Sequence, residues 1–156
     1  MDKNITKPLF SKKFKEKRAA RVLAVQALYA HHNHEGSRLD QVIFDIIKDS
    51  KSQEVLSKLN KSDEKLIINL VRGTQDNLEL VTSTVTKHLS KEWRFERLGK
   101  VMQAILLIAA YEMMMDSEVD RAILINEYIE ITKMFNHEGE AGFVNSVLDG
   151  ISKDSI

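Results

Sequence analysis

Apolar residues recur three and four positions apart along most of the chain, and no long segment alternates apolar with polar residues. The first spacing lines one face of a helix and the second would mark a strand, so the fold class is all-α. Ile67, Leu70, Val71, Leu78, Val81, Val85 and Leu89 form one stripe, read as a single long helix. Ser62 is its expected N-cap, Lys65 takes the capping-box site, and the acid the box requires comes one residue early, at Glu64. Leu98, Val101, Met102, Ile105, Leu106, Ile108 and Ala109 predict a second helix, apolar nearly all round and therefore central. Ala122–Phe135 and Phe143–Ile151 predict two more, separated by "NHEGEAG". Leu39–Ile47 is a shorter helix, with a further turn or two expected at Val55–Leu59. With an opening helix from about Ser11, the count is six to seven.

A chain of 156 residues is the size of one domain. Its single proline, Pro8, leaves everything after it free to be helical. Residues 1–11 are expected to be a basic, flexible leader ahead of one helical domain, 12–156. The absence of cysteine excludes disulfides, thiolate nucleophiles and Cys-ligated zinc, and suits a reducing cytoplasm. No apolar run approaches the roughly 20 residues that span a bilayer, so no membrane partner is expected.

Charge changes the picture. The chain is neutral overall, with 23 basic and 23 acidic residues, but they are unevenly placed. Residues 1–21 hold eight cations against two acids, a net of +6, and residues 112–140 hold the reverse, a net of −6. Such a split suggests two partner surfaces, or one contact between molecules, including a homodimer. In "KKFKEKRAARVLAVQALY" (Lys12–Tyr29) the cations precede an apolar stretch. A helix starting near Ser11 would put them at its positive end, where they are disfavoured unless a polyanion supplies the counter-charge. Val22–Tyr29 is too uniformly apolar for a membrane-surface helix, so the block reads either as a solvated tail that aids solubility or as a site for a polyanion, for which nucleic acid is the better candidate.

Other chemistry is sparse. His31, His32 and His34 could ligate a metal, but histidine also suits a helix C-terminus, and no metal site is assigned. "HEGE" at His137 lacks a zincin's second histidine, and no phosphate-binding loop, nucleophile elbow or dinucleotide turn occurs. No catalytic residue and no cofactor are expected. Asn126 and Asn145 interrupt apolar runs and are read as tying neighbouring helices through buried hydrogen bonds. "FNHEGEAGF" offers free amides at a helix start with Phe143 beside them, groups that suit a phosphate and a stacked base.

Five blocks, in order, carry a resemblance: "RAARVLAVQALY", "LVRG" (Leu70–Gly73), "LGKVMQAILLIAAYEM" (Leu98–Met113), "AILINEYIEITKMF" (Ala122–Phe135) and "FVNSVLDGI" (Phe143–Ile151). Together they resemble the NusB family of bacterial transcription antitermination factors. The resemblance implies two packed helical bundles. It also implies a non-enzymatic, cytoplasmic factor that binds the boxA element of ribosomal RNA leaders jointly with the small-subunit ribosomal protein NusE, within an RNA polymerase antitermination complex. By the same resemblance Lys17, Arg18, Arg21, Tyr29, Glu96 and Phe143 would lie at the RNA, and Met102, Ile105 and Glu112 on the face that receives NusE. Ala19, Met102 and Leu107 replace charged residues common in relatives, Asp120 replaces a proline, and Gly139 replaces an acid. The alternatives are a helical interaction scaffold, or a NusB-like RNA-binding domain of an RNA-modifying enzyme.

Overall fold

The computed structural model describes residues 2–52, 59–115 and 119–154, with side chains from Lys17 onward. The further turn expected at Val55–Leu59 falls mostly outside these residues. Seven α-helices and two 3₁₀ turns make up the described chain: α1 (Asp2–His32), α2 (Leu39–Lys51), α3 (Lys61–Asp76), α4 (Leu78–Lys87), α5 (Lys100–Met114), α6 (Arg121–Met134) and α7 (Ala141–Asp154), with turns at Phe95–Arg97 and Glu138–Glu140. They form two packed bundles that share α5, which contacts α1 and α3 on one side and α4, α6 and α7 on the other.

The central place of α5 follows from its composition. Met102 and every residue from Ala104 to Ala110 are buried, so no face is left for water. Burying each large side chain of this run stabilises by about 1.5–3 kcal/mol relative to exposure. The close α3–α5 approach depends on Gly73, where a Cβ would lie 2.0 Å from Cζ of the Tyr111 ring. At the far end of the second bundle His88 joins α4 to α7. Its Nδ1 lies 2.9 Å from the Thr84 carbonyl and its Nε2 2.7 Å from the Asp154 carboxylate, a contact that draws the Asp154 pKa below its ordinary value. Gly150 leaves the room, since a Cβ there would come within 2.8 Å of the His88 ring.

Three elements differ from expectation. The long stripe is two helices, because Asn77 leaves helical geometry and its side-chain amide donates to the Gly73 carbonyl, ending α3 as α4 begins. α3 starts not at Ser62 but after Asn60, which forms a reciprocal capping box with Asp63. α1 reaches back to Asp2 and takes in the segment expected as a leader, so Lys17, Arg18 and Arg21 sit mid-helix, beyond reach of the terminal dipole. Asn126 and Asn145 are exposed, and bury no hydrogen bond between helices. Asp120 caps α6 by accepting from the Ala122 amide.

Candidate nucleic-acid interface

Three cations of α1, Lys17, Arg18 and Arg21, are held by carboxylates from three other helices. Lys17 donates to Ser62 Oγ at 2.7 Å and to Asp63 Oδ1 at 3.0 Å, drawing on the same carboxylate that caps α3. Arg18, the next residue, makes a fork to Glu127 of α6, Nε to Oε1 at 3.0 Å and Nη2 to Oε2 at 2.7 Å. These bonds raise the Arg18 pKa above its ordinary value despite partial burial. About a quarter of the Arg18 side chain stays exposed.

Arg21 is different. It is 2% exposed and forks to Glu112 of α5 at 2.9 and 2.8 Å, while the buried Tyr128 hydroxyl donates to the same carboxylate at 2.5 Å. Burial opposes the charge on Arg21, but the hydrogen bonds and attraction of Glu112 outweigh it and raise the pKa. Burial, then Glu112, pushes the Tyr128 hydroxyl well above its ordinary pKa and keeps it a donor. Nη1 of Arg21 is buried without a partner among the described residues.

Several expectations are thereby corrected. Arg21 is a core residue with no surface for RNA. Met102 and Ile105 are fully buried and Glu112 nearly so, which removes all three from direct contact with a partner, because they pack against the chain's own helices. Leu107 is buried as well. The opposite charges of the N-terminal segment and of residues 112–140 meet within the molecule, at Arg18–Glu127 and Arg21–Glu112. Of the histidines, His31 Nδ1 lies 2.6 Å from Ser37 Oγ and His32 Nε2 2.7 Å from Gln75 Oε1.

The remaining residues lie apart. Tyr29 is 39% exposed near the end of α1, Glu96 is exposed in the first 3₁₀ turn, and Phe143 is half-buried in the first turn of α7. No hydrogen bond, ion pair or ring contact joins the Tyr29 or Glu96 side chain to the others among the described residues. The approach to Phe143 is shaped by the end of α6, where Asn136 adopts φ 63° and the His137 amide reaches the Thr132 carbonyl. Phe143 does meet one residue that sequence reasoning passed over. The Trp93 ring lies 5.4 Å from it, tilted by 49°.

A model of the NusB family matches residues 18–153, which includes the ion-paired helices and the Trp93–Phe143 contact. The chain belongs to the NusB family. Relatives named transcription antitermination protein NusB include one from Caulobacter vibrioides, 36% identical and covering 87% of this chain and 91% of its own. Another, from Sulfurimonas denitrificans, is 38% identical, covering 86% and 95%. Among solved structures, T. maritima NusB superposes with a TM-score of 0.75 at 27% identity, over 88% of this chain and 90% of the other. A complex of the antitermination factors NusB and NusE with double-stranded RNA shares the fold, with a TM-score of 0.74 at 23% identity and coverage of 91% and 98%.

Proposed function

We propose that the protein is a transcription antitermination factor that binds boxA-like single-stranded RNA together with the ribosomal protein NusE and acts in the RNA polymerase antitermination complex. It works in the cytoplasm, as a non-enzymatic adaptor. The observation that carries this reading is family membership across most of the chain, with relatives named for antitermination. The geometry supports a division of labour within it. Lys17 and Arg18 keep exposed surface for phosphate, Arg18 already aimed by the fork to Glu127, whereas Arg21 secures the helix beneath them. Tyr29 and Phe143 offer rings to bases, and Glu96 an acceptor to base or ribose groups. NusE contact rests on exposed groups, not on Met102, Ile105 or Glu112.

Fluorescence anisotropy with a labelled boxA-like RNA and a scrambled control tests the reading, with and without NusE and at two salt concentrations. Selective binding strengthened by NusE is the expected result. Changing Lys17 and Arg18 together to Ala should weaken binding and flatten its salt dependence, the slope of log K against log salt falling by about 0.7 for each phosphate no longer neutralised. Equal, weak binding to both RNAs in every mixture would return the protein to the class of helical scaffolds.

A further inference from the structure

The positive charge left free on the described surface is concentrated away from α1. In "KEWRFERLGK", Lys91 to Lys100, four cations alternate with two acids and the chain's one tryptophan. Lys91, Arg94, Arg97 and Lys100 are all exposed, and none has a carboxylate partner among the described residues. The segment is nevertheless anchored. Phe95 and Leu98 are buried in the core, the turn between them is 3₁₀, and Gln103 Nε2 donates to the Leu98 carbonyl at 2.8 Å. Trp93 leans on Phe143 while 52% of its surface stays open to solvent. An indole backed by another ring and flanked in sequence by exposed cations without carboxylate partners among the described residues is a combination suited to single-stranded nucleic acid, by stacking on bases and neutralising phosphates.

Building on the RNA-binding function proposed above, we propose that Lys91–Lys100 is a second RNA-contacting element. In it the outer face of Trp93 stacks an unpaired base and Lys91, Arg94, Arg97 and Lys100 take the flanking phosphates. Phe143 then supports Trp93, extending the stacking surface by one ring. A protein partner would need a broader apolar core than one ring set among charges. A membrane would need an amphipathic helix, whereas this element is a turn with its other apolar groups turned inward.

Trp93 being the only tryptophan, its emission reports on this element alone. The full chain is titrated with a fluorescein-labelled, short, single-stranded boxA-like RNA, with and without NusE. Anisotropy of the label and tryptophan emission are followed in parallel, and anionic phospholipid vesicles serve as a second titrant. Saturable quenching of Trp93 with the same midpoint as the anisotropy is expected. Trp93→Ala should weaken RNA binding roughly 5- to 150-fold, the range of one base stack, and Trp93→Phe should restore most of it. Arg94→Ala with Arg97→Ala should lower the salt slope by about 1.4. These last two variants and the wild-type emission decide the matter even if Trp93→Ala disturbs folding. RNA binding by anisotropy with emission and salt slope unmoved overturns the proposal and leaves the RNA-binding function standing. Quenching by vesicles or by NusE alone, and not by RNA, also overturns it. Absence of binding to any RNA overturns both.

Discussion

α1 and the turn ahead of α5 are both rich in cations, and they hold them in opposite ways. On α1 the described cations are spent: Asp63, Glu127 and Glu112 each take one, and Arg21 is the most deeply buried of the three. On the turn from Lys91 to Lys100 the cations face water without acidic partners among the described residues, and only the apolar residues between them reach inward. A basic sequence therefore marks two distinct things. One block ties four helices together through α1 and leaves a limited edge for a ligand. The other is anchored by Phe95 and Leu98 while its cations stay open to solvent.

Substitutions can break this contrast, beginning with the largest effect. Glu112→Ala leaves the Arg21 guanidinium buried and unpaired, and should cost about 3–5 kcal/mol in denaturant unfolding. A loss below about 1 kcal/mol would show that the pair is dispensable and that α1 is held by apolar packing alone. Tyr128→Phe removes one charge-assisted hydrogen bond while sparing the fork, and a smaller loss of about 1.5–3 kcal/mol is expected in the same assay. At the other pole, Arg94→Ala and Arg97→Ala should each stay within about 0.5 kcal/mol of the parent, as surface changes without partners do. Should either prove strongly destabilising, the turn would belong with α1 as structure and the distinction would collapse.

Much of the architecture was readable from spacing. The uniformly apolar run from Ala104 to Ala110 could only be a buried helix, and α5 is one. Local breaks were harder. Asn77 sits within a continuous apolar stripe, and periodicity does not register that its side chain competes for the Gly73 carbonyl. Asn126 and Asn145 show the converse, since a polar residue amid apolar neighbours fell on the open side of its helix. The candidate site was legible as charge but not as pairing. The acid for Arg18 lies 109 residues away and that for Arg21 lies 91 away, distances at which sequence carries no register. Net charges of +6 and −6 suggested two partner surfaces or a contact between molecules, whereas Arg18–Glu127 and Arg21–Glu112 pair the two segments within the chain. Trp93 could have been found from the alternation of cations about a lone indole in "KEWRFERLGK".

The Arg21–Glu112 pair also has a meaning in time. Its members are separated by 91 residues, and a ribosome adds roughly 5–20 residues each second. The first helix of a nascent chain thus waits roughly 5–20 s for its deepest counter-charge to be synthesised. The three pairs therefore become possible in a fixed order: Lys17 with Asp63 after 46 residues, Arg21 with Glu112 after 91, and Arg18 with Glu127 only after 109.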